Sequence, residues 1–296
     1  MTRRQTLADL ALLALAAGWG STFVMVKDAV ALIPVFTFLS LRFGVASIAL
    51  IGTAGPRVRQ LNRRAVILSA VAGLLFAAGY GFQTIGLRTT GPGRVGFLAG
   101  LAVVIVPIGA AIIWRHRPNR SSIIGIASAV IGLALLTSGL NGEPILSGDL
   151  WVLLGTLGFA GQVLVISRLP RSVDPRGMAA VQVVSTLIGC GLMALIIERP
   201  IFPSDLRVWA AVLFTGLVVS GLGVLVQTWA QAFTPATHAA LIFATEPVFA
   251  AVVGFLVIGE RLTFDQIVGG GLILFGMLIS ELGPLWRRRK SVVLSL

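Results

Sequence analysis

Charged side chains and cysteine are scarce in this sequence. Charged residues make up 11% of the 296 positions and hydrophobic residues 56%, against about 25% and about 45–50% in an ordinary soluble domain. A soluble globular fold is excluded, because it could not hide so much apolar surface. The single cysteine, Cys190, excludes an intramolecular disulfide and a cysteine metal site. We interpret it as a small apolar residue.

Metal-binding and nucleotide-binding patterns are also missing. His116 and His238 each stand alone, without a second ligand at metal-binding spacing. The run Gly269 to Gly271 lies inside an apolar segment and has no Walker lysine, so it does not predict a phosphate site. The sequence therefore predicts no metal, no cofactor and no chemistry driven by ATP.

Long apolar runs dominate what is present. A helix that crosses a bilayer needs about 20 predominantly apolar residues, so that every backbone polar group bonds within the segment. The fold class predicted from these runs is an all-α integral membrane protein with ten transmembrane helices. The predicted spans cover residues 7–26, 33–53, 65–86, 95–114, 122–140, 148–167, 177–197, 208–232, 238–258 and 264–283.

The net charge of +12 would suggest a nucleic-acid partner in a soluble chain. With the N-terminus inside, however, sixteen of the 23 Lys and Arg residues fall on the inner side, and only Arg42 falls within a span. This asymmetry follows the positive-inside rule. We therefore expect cytoplasmic termini, a lipid bilayer as the surrounding medium and no nucleic-acid partner. Trp286 to Lys290 is predicted to be an interfacial anchor.

The sequence repeats internally, at offsets that alternate between 140 and 144 residues. Gln83-Thr84 recurs as Gln227-Thr228, and Asp9 recurs as Asp149. Arg3-Arg4 before an apolar run could imitate a secretory signal. The repeat argues against this reading, because the first apolar run has a counterpart in the second half.

Two halves follow from the repeat, residues 1–141 and 142–296, joined by the polar loop Asn141 to Gly148. Each half holds five predicted spans. Because five is odd, the second half must cross the membrane in the opposite sense, which gives an inverted repeat. Secondary transporters commonly have this architecture and bind substrate near the midplane between the halves.

Several short motifs carry a family resemblance. They are Trp19 to Phe23 followed by Lys27, Pro34 followed by Arg42, and Thr245-Glu246-Pro247 followed by Gly259 to Leu262. With the ten spans and the duplication, the sequence resembles the drug/metabolite transporter superfamily of EamA type. One departure is Trp114 to Arg117, where family members often show Gly-Glu, so no role for an acid carries over there.

The resemblance implies an exporter of small metabolites with a central cavity lined by both halves. Within the family the chain is most similar to bacterial exporters of aromatic and other neutral amino acids, which implies the cytoplasmic membrane, a small-molecule substrate and alternating access. Export rather than import is implied by the resemblance alone. We expect a monomer or a weak dimer.

Aromatic and amide side chains within the spans are the candidate substrate-binding residues. Phe76, Tyr80 and Gln83 share one helical face, and such a mixture suits an amphipathic ligand. Alternatively, the rings face lipid and the amides bond across helices. The candidates are Trp19, Thr22, Phe23, Phe76, Tyr80, Gln83, Phe97, Phe159, Gln162, Gln227, Gln231 and Phe243.

Two ionisable residues lie well inside spans, Arg42 and Glu246. Such residues are functional hypotheses by default. Glu246 precedes Pro247, which can kink a helix, and it could exchange protons during transport. The alternatives are a structural ion pair, a Glu246 that bonds freed backbone, and an Arg42 that snorkels to the outer surface.

Other functions remain open at this point. Drugs, nucleosides and sugar derivatives are alternative substrates for the same fold. An integral-membrane enzyme acting on lipid-linked substrates is disfavoured, because the sequence lacks clustered acids and a nucleophile with a base. A scaffold protein would not need its polar and aromatic positions to converge in one cavity.

Overall fold

A computed structural model of the chain describes residues 3–115, 119–136, 147–170, 172–253, 255–256 and 263–293, with Pro92, Gly93 and residues 281–293 described by their backbone alone. These described residues form mainly α-helices joined by short turns, together with a 3-10 segment, Gly55–Gln60, and a π-helical segment, Thr215–Leu222. The α-helices are α1 (Arg3–Gly20), α2 (Phe23–Leu32), α3 (Val35–Ala54), α4 (Arg63–Leu87), α5 (Pro92–Gly100), α6 (Ala102–Trp114), α7 (Arg120–Leu136), α8 (Ser147–Ile166), α9 (Pro175–Ile197), α10 (Leu206–Phe214), α11 (Gly223–Ala230), α12 (Ala236–Phe243), α13 (Glu246–Val253) and α14 (Phe264–Val293).

Helix length and composition make this a membrane protein. Among the described residues, seven helical stretches are long and apolar enough to cross a bilayer, and the bent pair α1 and α2 makes an eighth. Two shorter apolar helices, Arg120–Leu136 and Phe264–Ser280, accompany them. The predicted all-helical membrane class is confirmed. Its outer surface fits the same class, since large apolar side chains such as Ile48, Ile112 and Leu195 are more than 70% exposed.

Polar side chains begin several of these helices. Asn62 accepts a hydrogen bond from the Ala65 N–H at 2.8 Å and caps α4. Asp174 caps α9 in the same way and is followed by Pro175, whose missing N–H costs nothing at a first helical position. At the other end of a span, Gly55 adopts a φ of 49° and ends α3, a left-handed conformation that suits glycine.

The first predicted span, 7–26, is wrong as a continuous helix. The chain bends by 40° between α1 and α2. The hydroxyl of Ser21 donates to the Gly18 carbonyl at 2.7 Å, and that of Thr22 donates to the Trp19 carbonyl at 2.8 Å. Such side-chain bonds compete with the helical ladder, so α1 ends here and α2 starts in a new direction.

Two further spans are interrupted at single points. The stretch Arg94–Trp114 breaks at Leu101, and Ala236–Val253 breaks at Ala244 and Thr245, just before Glu246-Pro247. Leu101 and Ala244 share the same backbone conformation, φ −62° and ψ −10°. The kink expected near Pro247 therefore has a counterpart in the first half at Leu101, just before the helix that contains Pro107.

Glycines set the close helix crossings. α7 packs along α14, where Gly125 meets the backbone of Gly276 and Gly132 meets the backbone of Gly269. α4 packs against α8 and α9, and α3 against α9. Small residues at such crossings let backbones approach closely.

Several sequence predictions fall outside the described residues: the joint at 141–146, His116, the motif Gly259 to Leu262 and the side chains of the tail anchor Trp286 to Lys290.

Candidate functional site

One cavity of about 940 Å³, measured as empty space including its open part, lies among helices from both sequence halves. The first half contributes residues of α1 to α6, and the second half contributes residues of α8, the π-helical segment, α11, α12 and α13. Sites that bind small molecules are concave and are lined mainly by apolar and aromatic side chains with a few polar groups. The lining of this cavity has that composition.

Most of the residues singled out by sequence line this cavity. They are Trp19, Thr22, Phe23, Phe76, Tyr80, Gln83, Phe159, Gln162, Gln227 and Phe243, together with Arg42 and Glu246. These side chains come from helices far apart in sequence, and the fold brings them together around one space.

Phe97 and Gln231 do not line the cavity, contrary to the sequence prediction. Phe97 packs between hydrophobic clusters of the interior. Gln231 lies behind Gln227, accepts a hydrogen bond from its amide at 3.0 Å and donates to the Val163 carbonyl at 3.2 Å. Helical periodicity placed both residues in the correct predicted spans, but it did not predict that their side chains lie behind the cavity lining.

Aromatic rings form two walls of the cavity. Phe76, Tyr80 and Phe159 pack edge to face, with centroids 4.7 Å apart for Phe76–Tyr80 and 5.1 Å apart for Tyr80–Phe159. Trp19 and Phe243 lie with centroids 5.1 Å apart. Edge-to-face packing is the favoured geometry for aromatic pairs. The rings thus pack on one another and present apolar surface to the cavity at the same time.

The glutamines of the cavity divide into two kinds. Gln162 and Gln227 exchange hydrogen bonds through their amides, at 3.2 and 3.1 Å, and each is 1% exposed. Gln83 makes no side-chain hydrogen bond to the described part of the chain, although it is only 9% exposed. The Gln162–Gln227 pair is therefore satisfied by the protein, whereas the Gln83 amide is available to a ligand.

Arg42 is buried within this space rather than turned to the surface. The residue is 2% exposed, so the snorkelling alternative is wrong. Its Nε donates to the Ser220 Oγ at 2.8 Å, and its Cζ lies 4.5 Å from the centroid of the Tyr80 ring. A guanidinium so close to a ring gains cation–π attraction. Its Nη2 has no hydrogen-bond partner.

Glu246 begins α13 and lines the same cavity, half-buried. Within the described residues its carboxylate makes neither a hydrogen bond nor an ion pair. The structural ion pair with Arg42 is therefore not formed in this structure, and neither is a bond from the carboxylate to freed backbone. Tyr80, whose ring lies against Arg42, lines the same cavity as Glu246.

Sequence reasoning missed several contributors to the site. Ser220, which holds Arg42, sits in an apolar run and carries no motif. Gly96 and Gly100 line the cavity from α5, where their lack of a side chain leaves space. Their spacing of four on a helix was a usable signal, because it places both on one face.

Two buried acids, Asp149 and Asp9, form polar clusters outside the cavity lining. Asp149 of α8 pairs with Arg94 at 2.5 Å and accepts from the Thr90 hydroxyl at 3.4 Å. Asp9 of α1 accepts from the Thr234 hydroxyl at 2.6 Å. Both acids stood out in the sequence only as a repeat. The structure shows that each ties a helix to the segment before another helix.

Comparison with known proteins gives a consistent picture. The sequence model of the EamA-like transporter family matches residues 6–138 and 146–282. An uncharacterized transporter of Archaeoglobus fulgidus is 30% identical over 275 residues, which is 93% of this chain and 86% of the relative. The uncharacterized inner membrane transporter YedA of Escherichia coli K12 is 26% identical over 298 residues, which is 96% of this chain and 93% of the relative.

A solved crystal structure extends this likeness to three dimensions. It aligns with a TM-score of 0.78 at 17% sequence identity and covers 97% of this chain and 99% of the other chain. At that identity the match describes the fold alone.

Proposed function

Because the chain belongs to the EamA-like transporter family, and is therefore a membrane transporter, we propose that it exports small amphipathic metabolites, with aromatic and neutral amino acids as its substrates. One observation carries this proposal. A cavity lined by residues of both sequence halves combines aromatic walls with a basic and an acidic side chain that do not pair with each other, and with the available amide of Gln83. Small-molecule sites combine apolar walls with a few convergent polar groups in this way.

The proposed architecture is a ten-helix inverted repeat of residues 1–141 and 142–296. Matching features in the two halves support it. The breaks at Leu101 and Ala244 have the same dihedral angles. The crossing of α7 and α14 is symmetric as well. Gly125 packs on the backbone of Gly276, and Gly132 packs on the backbone of Gly269, so each helix contributes one glycine to each contact. In this arrangement both termini are cytoplasmic.

The proposed mechanism is alternating access, in which one repeat rocks against the other around a site between them. With no ATP-binding motif in the sequence, transport would run on a gradient of the substrate or of protons. Glu246 is the candidate coupling residue. Its half-buried carboxylate lines the cavity and has no partner among the described side chains.

Efflux of radiolabelled phenylalanine from proteoliposomes tests this function, with protein-free liposomes as the control and with or without an imposed pH gradient. Saturable efflux is the expected result. Gradient-independent efflux would identify a facilitative exporter and exclude Glu246 as a coupling site. Efflux that depends on the gradient would make Glu246→Gln the next variant, with loss of the dependence expected.

Parallel assays decide between substrate classes. If no amino acid is released while nucleosides or cationic drugs are, the amino-acid assignment is wrong and the transporter serves that other class. If no solute of any class is released, transport through this cavity is refuted.

A further inference from the structure

The cavity contains one basic and one acidic side chain that do not pair with one another. Arg42 and Glu246 both line it, and no ion pair joins them in the described structure. Burying a charge away from water is costly unless a partner compensates it. A partner of opposite charge would therefore stabilise the charged form of each side chain, and one ligand could supply both partners.

Arg42 is held in place by the protein yet retains donor capacity. Ser220 fixes its Nε at 2.8 Å, and the Tyr80 ring supports one face of the guanidinium. Nη2 has no partner although the residue is 2% exposed. A guanidinium has five N–H donors in a rigid fork that matches a carboxylate. A positioned guanidinium with a free donor is suited to receive a ligand carboxylate.

Glu246 offers the complementary group. Its carboxylate can accept several hydrogen bonds, and no described residue supplies one. The Tyr80 ring lies against the guanidinium of Arg42, and all three residues line the same cavity. A ligand that satisfies both must carry its own positive and negative groups at different points.

Resting on the function proposed above, we propose that the site recognises zwitterions, with Arg42 binding the α-carboxylate and Glu246 binding the α-ammonium group of one amino acid. The aromatic walls of Phe76, Phe159, Trp19 and Phe243 then receive its apolar side chain. We call this pair of residues, Arg42 and Glu246, the clamp. A molecule that lacks either charge leaves one protein charge uncompensated. The clamp therefore favours amino acids over amines, carboxylic acids and uncharged aromatic compounds.

Competition against phenylalanine uptake into proteoliposomes tests the wild-type protein directly. Phenethylamine lacks the carboxylate, and 3-phenylpropionate lacks the ammonium group, whereas both keep the aromatic ring. Loss of a charge-assisted hydrogen bond of about 1.5–3 kcal/mol predicts that each analogue competes roughly ten- to hundredfold more weakly than phenylalanine. Competition by either analogue as strong as that by phenylalanine would overturn the clamp.

Two variants assign the charges. Arg42→Gln should weaken phenylalanine at least about tenfold and leave phenethylamine nearly unchanged. Glu246→Gln should weaken phenylalanine similarly and leave 3-phenylpropionate nearly unchanged. Arg168→Gln and Asp265→Asn are matched controls, because both residues are exposed and neither lines the cavity. These controls should transport phenylalanine as the wild type does.

The outcomes separate the two proposals. If the wild type transports phenylalanine but both variants weaken all three ligands equally, the clamp is wrong and the amino-acid function stands. If the wild type transports no amino acid, the function fails and the clamp fails with it. Should either variant fail to fold, the wild-type analogue series alone still decides the clamp.

Discussion

Residues of one type do different work in this cavity, as the glutamines illustrate. Gln83 and Gln227 occupy equivalent positions of the internal repeat, and the sequence treats them alike. In the structure Gln227 bonds to Gln162 and Gln231, whereas Gln83 faces the cavity without a bond from the described chain. Substitution of Gln83 should therefore mainly lower substrate affinity, whereas substitution of Gln227 should mainly lower stability.

The Gln83→Ala variant should lose transport affinity while its melting temperature stays near that of the wild type. Gln227→Ala should instead destabilise the protein by about 1–3 kcal/mol, because it leaves the buried side-chain amide of Gln162 and the Oε1 of Gln231 without their Gln227 partners. Thermal unfolding in detergent, compared with phenylalanine transport, measures both. Equal loss of stability in the two variants would contradict the distinction.

At the scale of elements, the crossing of α7 and α14 depends on an absence of side chains. A Cβ at Gly269 would collide with backbone atoms of Leu136 and Gly132. Two positions later, Gly271 has nothing within 4 Å of the same added atom. Both glycines belong to one Gly-Gly-Gly run, so the sequence alone does not separate them.

The Gly269→Ala variant should therefore lose about 1–3 kcal/mol of stability through overpacking. Gly271→Ala is the matched control. It should be neutral or slightly stabilising, since glycine within a helix costs roughly 0.5–1 kcal/mol relative to alanine. Melting temperatures of the two purified variants provide the measurement. A lower value for Gly271→Ala than for Gly269→Ala would show that the crossing is not set by this contact.

The π-helical segment Thr215–Leu222 explains a shift in the repeat. Gly73 packs on the Gln182 backbone as Gly216 packs on the Arg42 backbone, and this glycine pair is 143 positions apart. Gly79 and Gly223, which pack on Phe159 and Trp19, are 144 apart. One extra residue thus lies between the second-half glycines. A π-helical turn accommodates such an insertion, and it carries the Ser220 that holds Arg42.

Glu198, at the end of α9, tethers the start of α3. Its carboxylate accepts from the N–H groups of Phe36 and Thr37, at 2.9 and 2.8 Å, and from the Thr37 hydroxyl at 3.1 Å. A carboxylate at a helix N-terminus satisfies orphan donors and complements the helix dipole.

Glu198→Ala should therefore destabilise the protein by about 1–2 kcal/mol, without changing which substrates compete. Glu198→Gln keeps an acceptor and should lose less. Unfolding and competition assays on both variants test this. A changed order of competing substrates would contradict a purely structural role.

At the scale of the whole molecule, the sequence predicted the class of fold, and most of the residues that it singled out line the cavity. Apolar run length is decisive for spans, because the bilayer allows few other solutions. Depth and pairing were not predictable. Phe97 and Gln231 sit on the expected helices but behind the lining, and the bend at Ser21-Thr22 comes from side-chain bonds. The depth of Phe97 and Gln231 depends on contacts between distant residues, which periodicity within one helix does not reveal. The bend depends instead on local hydrogen bonds of the two hydroxyls, which periodicity does not reveal either.

The two acidic clusters occupy related places in the halves. Asp149 ties α8 to Arg94 and Thr90, and Asp9 ties α1 to Thr234. In the proposed topology the Asp149 cluster lies on the outer side of the membrane and the Asp9 cluster on the inner side. Each would then help to close one end of the transport path.

Replacing Asp149 or Asp9 with asparagine should change access to the cavity from outside in opposite directions. Asp149→Asn weakens the outer closure, because it removes the charge that Arg94 pairs with at 11% exposure, and Asp9→Asn weakens the inner closure. Cys190 is the sole cysteine, so Cys190→Ser gives a background in which Thr84→Cys reports on the cavity. Labelling by an impermeant maleimide from outside should rise about fivefold or more in Asp149→Asn and fall in Asp9→Asn.

The local pair Asp205–Arg207 supplies the control for this experiment. It joins an acid and an arginine at 2.6 Å, but both belong to the start of one helix and Arg207 is exposed. Because an exposed ion pair contributes little, Asp205→Asn should leave labelling unchanged. If Asp149→Asn and Asp9→Asn shift labelling in the same direction, the clusters do not close opposite ends and the inverted arrangement of the halves fails with them.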